Sequence, residues 1–208
     1  KNLDVEYFRN GDPIPHCKTE EEWKKAGEKG QPAWCYYDND PKNGAKYGKL
    51  YNWFAVNDPR GLAPEGWHIP SGDEWEVLTD DLGAWRSVGK KMKSKSGWKS
   101  YKETIACKNC KNWNAEYRRN TACHICQDTR SNGEKTRSGN GTNASGFSGL
   151  PGGCRAYDGP FSNIGFDGDW WSFKGFPAWY SLSNYNDRSV GRTDSNKTCG
   201  FSVRCLRD

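Results

Sequence analysis

Four cysteines form the clearest chemical pattern in the chain, Cys107-x2-Cys110 and Cys123-x2-Cys126. A Cys-x-x-Cys turn points two thiolates at one spot, and two such turns complete the tetrahedral sulfur set of structural zinc. Twelve residues, Lys111 to Ala122, separate the pairs, a gap similar to that of zinc fingers. The surrounding segment is polar, with Trp113 and Tyr117 as its large aromatic anchors, so it needs a staple to fold. Two disulfides would also serve; the regular paired spacing favours zinc. Four thiolates leave no open position, so the expected zinc is structural, and His124 between two ligands is expected at the surface.

The other cysteines are Cys17, Cys35, Cys154, Cys199 and Cys205, which brings the total to nine. That number points to an oxidising compartment or to metal, and being odd it leaves at least one free thiol or intermolecular partner. The three histidines, His16, His68 and His124, fall in no Ser/His/Asp or Cys/His arrangement, so no catalytic site is expected. His68, in Gly66-Trp67-His68-Ile69-Pro70, reads as a packed, hydrogen-bonded core histidine rather than a general base. The run Asp38-Asn39-Asp40-Pro41-Lys42-Asn43-Gly44 has oxygens for calcium, but Lys42 stands where a ligand belongs. A hydrogen-bonded Asx turn is the expectation there, and no calcium site.

Local signals place the elements around these residues. Thr19 and Glu22 have capping-box spacing and start a polar helix running to about Lys29. Ser71 and Glu74 repeat the signal for a helix over Gly72 to Leu82, with Trp75, Leu78 and Leu82 on one face and Gly83 at the end. A third short helix follows Arg86, where Val88 and Met92 share a face. Trp34 to Tyr37 and Tyr47 to Val56 read as strands. From Gly139 onward short alternating segments with Gly and Asn turns read as β structure, and Phe201, Val203 and Cys205 alternate as a terminal strand.

Aliphatic residues are sparse, whereas the chain holds 11 Trp, 10 Tyr and 24 Gly, so its core must be assembled from large rings with polar edges. Two hundred and eight residues without a linker-like tract fit one domain, 1–208, carrying an inserted subdomain at 105–137. No apolar run approaches a membrane-spanning helix, and no signal peptide is visible. The net charge of +5 comes from Lys and Arg scattered among Asp and Glu. Without a dense basic stripe, nucleic acid is not an expected partner.

The stretch Tyr47 to Ser71, YGKLYNWFAVNDPRGLAPEGWHIPS, is the most specific wording in the chain. Together with GNGTNASGFSGLPGG (139–153), Asn163-Ile164-Gly165, Trp170-Trp171-Ser172 and the ending GFSVRCLRD, it resembles the Fibrobacter major paralogous (FISUMP) domain. The resemblance spans nearly the whole chain apart from the insert. It implies an α+β, C-type-lectin-like fold related to that of formylglycine-generating enzymes: two or three short helices, small antiparallel sheets and long loops forming one exposed face. Family members carry a further strand-like segment before the equivalent of Lys1, so trimming or strand addition from a neighbouring molecule is expected. Cys35 and Cys205 match family cysteine positions. Cys154 and Cys199 replace aromatic positions of the family, which suggests a bond between them.

On this reading Trp170 to Lys197 is the ligand face, mixing rigid rings with short polar side chains and arginines. One of Trp170 and Trp171 belongs in the core. Trp171, Trp179, Tyr180, Asn184, Tyr185, Asn186, Arg188 and Arg192 are the candidate contacts, with a surface glycan or protein as ligand. The Tyr180 to Lys197 stretch also resembles the variable regions of C-type-lectin-fold proteins diversified by retroelements. The expected function is non-catalytic recognition or adhesion, secreted or at the cell surface. The alternatives are a self-associating structural subunit of a surface layer or filament, and a cysteine oxidase using Cys199 and Cys205.

Overall fold

Both capping boxes form as their spacing predicts. In the computed structural model, which describes residues 1–83, 85–104, 134–174, 176–185 and 193–208, the Thr19 hydroxyl accepts from Glu22 N while the Glu22 carboxylate accepts from Thr19 N, opening α1 (Glu20–Glu28). Strand β1 (Trp34–Cys35) follows and pairs antiparallel with β2 (Leu50–Tyr51). Between them lies α2 (Pro41–Tyr47), where a loop is expected from sequence. Asp40 caps it by accepting from Lys42 N, the Asx interaction anticipated, and Pro41 supplies a first helical residue with preset φ. The second half of the predicted 47–56 strand is instead the short helix α3 (Trp53–Val56), capped by Asn52.

β3 (Trp67–His68) leads to α4 (Gly72–Asp81), opened by the Ser71/Glu74 box and closed by Gly83 at φ +86°. In α5 (Trp85–Met92), Val88 and Met92 are buried together. The two or three helices expected are therefore five among the described residues, because Asp40 and Asn52 each cap a helix in segments whose composition reads as turn and strand. β4 (Tyr101–Thr104) and β5 (Glu134–Arg137) form an antiparallel pair. Beyond them come β6 (Cys154–Arg155) with β7 (Phe161–Ser162), then the long hairpin of β8 (Asp167–Lys174) and β9 (Phe176–Ser183). β10 (Thr193–Asp194) adds to the β9 edge, and β11 (Leu206–Arg207) pairs with β3. The result is a mixed α+β chain of small, antiparallel-paired sheets.

The segment Gly200–Val203 is the seam. Phe201 exchanges backbone hydrogen bonds with Tyr51, Gly200 with Arg155, Ser202 N donates to Asp169 O, and Leu3 N donates to Val203 O. Strand alternation turns neighbouring residues of β8 to opposite faces, and here both faces are covered. Trp171 enters a cluster with Trp34, Tyr51, Trp53, Phe201 and Val203. Trp170 enters another with Trp75, Val88, Met92, Trp98, Tyr180 and Leu182. A third gathers Trp23, Cys17, Cys35, Tyr37 and Leu50. The ring contacts are specific: Trp75 stacks on Tyr180 at 4.6 Å, and Trp171 tilts against Trp53 and Phe201 at 5.3 and 4.7 Å. Each fully buried ring of about 200 Å² contributes on the order of 5 kcal/mol of transfer free energy, which replaces the missing aliphatic core.

Candidate functional site

The strands that carry the expected contact residues sort them into three groups. Trp171, Tyr180 and Asn184 are buried, and their polar atoms are committed inside: Trp171 Nε1 donates to Tyr51 O at 2.7 Å, Tyr180 OH to Gly72 O at 3.1 Å and Asn184 Nδ2 to Lys99 O at 3.0 Å. These three brace the face from beneath. Trp179 is half-buried and stacks on Phe201 at 5.0 Å. Tyr185 stands 53% exposed at the end of β9. Asn186, Arg188 and Arg192 lie outside the described residues.

Backbone bonds fix both flanks of this face. Asn184 N donates to Phe166 O, which brings the exposed Phe166 to the same end as Tyr185. Lys99 Nζ lies 4.3 Å from the Phe166 ring centroid, a cation over an aromatic face. On the other flank Ser195 N donates to Pro177 O, Trp53 N to Lys197 O, and Trp23 Nε1 to Thr198 O.

Beside Lys197 opens a cleft of about 240 Å³ lined by Gly30, Trp53, Phe54, Asn57, Asp58 and Lys197. Asp58 receives Arg60 Nε and Nη2, each at 2.9 Å, and that pairing holds its carboxyl below the usual carboxylate range. Ring faces, an amide and an ammonium at a shallow opening suit the binding of a polar surface rather than a bond-making step. Sequence reasoning singled out none of Trp53, Phe54 or Asn57 as contacts, because they read as strand and turn. Their link to the C-terminal loop is the long-range Trp53–Lys197 hydrogen bond.

Thiol chemistry is poorly supported by the environment of the cysteines. The expected Cys154–Cys199 bond is not formed: Cys17, Cys35, Cys154, Cys199 and Cys205 are all free. The β6–β7 register sets Cys154 opposite Ser162, and its Sγ lies 3.2 Å from Ser162 Oγ, although Cys199 is near enough to raise the Cys154 pKa. Burial pushes Cys35 and Cys154 up to about 12 and Cys205 to about 11, and also raises Cys17 and Cys199. Thiols raised in this way carry little thiolate and are weak nucleophiles.

His68 is hydrogen-bonded, as expected, but sits partly exposed between two carboxylates: Nδ1 lies 2.6 Å from Asp208 Oδ1 and Nε2 2.7 Å from Glu74 Oε1. Asp208 first, then Glu74, raise its pKa. A histidine whose two ring nitrogens are both engaged by carboxylates is a clamp between β3, α4 and the C-terminal Asp208. Cys107, Cys110, Cys123 and Cys126 lie outside the described residues. Among the described residues no group of three or more His, Cys, Asp and Glu is placed to hold a metal ion, and no helix is long and apolar enough to cross a membrane.

A helix-capped, ring-packed α+β scaffold presenting an aromatic and polar loop face is thus what the geometry defines. The chain belongs to the family described as the Fibrobacter succinogenes major domain, whose model matches residues 1–207. No curated protein and no solved structure matches it.

Proposed function

We propose that the chain is a non-catalytic recognition domain, secreted or at the cell surface, that binds a glycan or surface protein through its C-terminal loop face. The observation that carries this reading is the exposed Tyr185, beside Phe166 and Lys99, on a face whose two flanks are anchored by Asn184 and by Ser195 to Lys197. A rigid frame that displays rings and short polar side chains is the arrangement recognition loops use. The C-type-lectin-like fold is part of the proposal, supported by the seam that joins the chain's two ends through Leu3, Gly200–Val203 and the β3–β11 pair. The raised thiols and the clamped His68 weigh against the oxidase alternative.

Screening the protein against immobilised glycans and cell-surface proteins tests it, with Tyr185→Ala and Arg188→Ala alongside. Each variant is expected to lose about tenfold or more in affinity for every hit while keeping the parent's unfolding midpoint. Hits whose affinity is unchanged in both variants would reject this face as the binding surface.

The Cys107/Cys110/Cys123/Cys126 set is proposed to hold one structural zinc ion that folds the 105–137 insert. Metal analysis of protein purified without chelator is expected to give about one zinc per chain, lost in a Cys110→Ser, Cys126→Ser variant. Intact-mass detection of two disulfides in the parent insert would replace zinc with the oxidised alternative.

A further inference from the structure

A second concave site lies on the N-terminal side of the fold, and no residue of the C-terminal loop lines it. The turn bridged by Tyr7 and Pro13 lies next to β1, which pairs with His16 in parallel, and between them is a cleft of about 270 Å³. We propose that this cleft, lined by Glu6, Tyr7, Ile14, His16, Trp34 and Tyr36, binds one neutral pyranose ring, as the terminal or branching sugar of a glycan.

Four features select that class of ligand. The first is aromatic surface. Tyr7 is 58% exposed, Tyr36 is partly exposed, and His16 stacks on Trp34 at 3.8 Å with Tyr36 edge-on at 5.9 Å. Tyr7 and Tyr36 offer ring surface to the apolar C–H side of a sugar, with the buried Trp34 and the His16 stacked on it forming the floor behind them.

The second is an unused polar atom. His16 Nε2 is sealed from water and has no hydrogen-bond partner. An unpaired buried nitrogen is costly to leave unmade, and a ligand hydroxyl becomes its partner once the His16 ring turns to bring Nε2 into the cleft. Burial first, then the neighbouring Lys18, hold His16 below its ordinary pKa, so at neutral pH the ring is uncharged and offers one donor and one acceptor. Hydroxyl groups, which both donate and accept, match that capacity.

The third is charge already balanced. Lys49 is buried with its Nζ 4.6 Å from the Trp34 ring centroid and 5.0 Å from that of Tyr36. It pairs with Asp4 and lies 3.5 Å from Glu6 Oε1. The cation that these rings attract is therefore built into the protein, which removes the reason for a cationic ligand, and the Asp4 and Glu6 carboxylates disfavour an anionic one. Glu6 is exposed and its remaining acceptor capacity suits two neighbouring hydroxyls of a sugar. The fourth is size: the volume is below that of pockets for drug-sized ligands and fits a single ring.

A single neutral ring in such a site should bind with a dissociation constant on the order of 1 mM. The test is a ligand-observed saturation-transfer and protein chemical-shift titration with the methyl glycosides of glucose, galactose, mannose and N-acetylglucosamine. Choline and glucuronate serve as the cationic and anionic probes. At least one neutral glycoside is expected to shift the Tyr7 and His16 signals, with affinity about tenfold weaker in Tyr7→Ala and unchanged in Tyr185→Ala. Silence from all four glycosides, preference for choline or glucuronate, or affinity that survives Tyr7→Ala would overturn the assignment. Because Tyr7 is solvent-exposed, its removal leaves the core intact, and an unchanged unfolding midpoint confirms that the comparison is between folded proteins. The Tyr7 and Tyr185 variants separate this site from the C-terminal face, so either can fail without the other.

Discussion

Replacing Arg155 with methionine should destabilise the fold by about 3–5 kcal/mol, because three backbone carbonyls lose their donor. Arg155 has no exposed surface, yet its side chain is fully engaged. Nε donates to Gly159 O at 2.8 Å, Nη1 to Cys17 O at 3.0 Å and Nη2 to Thr19 O at 2.8 Å. The guanidinium lies 4.7 Å from the Trp23 centroid and 4.7 Å from that of Phe161. One planar group thus ties the 156–159 turn, the entry to α1 and two rings to the seam segment Gly200–Val203, with which Arg155 also exchanges backbone bonds through Gly200. Methionine fills much of the volume but withdraws three charge-assisted hydrogen bonds, each worth about 1.5–3 kcal/mol, and the ring contacts, a loss offset in part because no charge is left to bury. Lysine keeps the charge but lacks the fork, so Arg155→Lys should recover less than half of the loss. Urea unfolding of the three proteins reads this directly, and a methionine variant within about 1 kcal/mol of the parent would show that the clamp is dispensable.

Arg155 also illustrates why much of the molecule escapes a reading of the sequence. Helix starts depend on side chains three residues apart, so the Thr19/Glu22 and Ser71/Glu74 boxes were legible and formed as read. The Val88/Met92 face followed from periodicity for the same reason. The expected strand alternating Phe201, Val203 and Cys205 is instead replaced by isolated bridges before β11. Phe201, Ser202 and Val203 are all buried there and Cys205 is partly exposed, because the chain is covered on both sides. Helix α2 was missed because Asn43-Gly44 reads as a turn. Gly44 is there for space, since a Cβ at that position would lie 2.2 Å from the Tyr36 ring. Helix α3 was missed because aromatic residues favour strands, while the deciding cap, Asn52, also bonds Ala33 N and Gln31 O from distant chain. At the candidate site the composition identified the right segment but not which side chains face out. Whether both faces of β8 are covered is a tertiary fact, and it moved Trp171, Tyr180 and Asn184 inside. The N-terminal cleft depends on residues near 7, 16 and 36 meeting, and no local signal encodes that meeting.

The second large effect concerns Asp169, where Asp169→Asn should stabilise the protein by a few kcal/mol at pH 7 to 8 and by almost nothing near pH 4. Asp169 sits fully buried on β8 opposite Ser181, and its Oδ1 has no hydrogen-bond partner. Burial pushes its pKa from 3.8 up to about 8, against the partial relief of a Ser181 hydrogen bond, and the nearby Asp167 adds to the rise. Asp167 is itself raised by burial, and the Cys154 thiol also feels both carboxylates. No cation among these neighbours offsets the charge. With the folded pKa above the unfolded one, the native state holds a proton that the unfolded chain has released. Stability attributable to this group is therefore fully present below about pH 4 and declines by about 1.4 kcal/mol per pH unit until about pH 8. Asparagine presents the same shape without a proton to lose, so the difference in unfolding free energy between variant and parent should widen with pH across that window. Measuring both proteins from pH 4.5 to 8.5 cancels the titrations they share, such as that of the His68 clamp. A difference that stays flat over this range would mean that Asp169 is ionised in the native state, with water or a counter-charge at its Oδ1. A widening difference would mean that the β8–β9 hairpin beneath the binding face carries a neutral carboxylic acid at physiological pH.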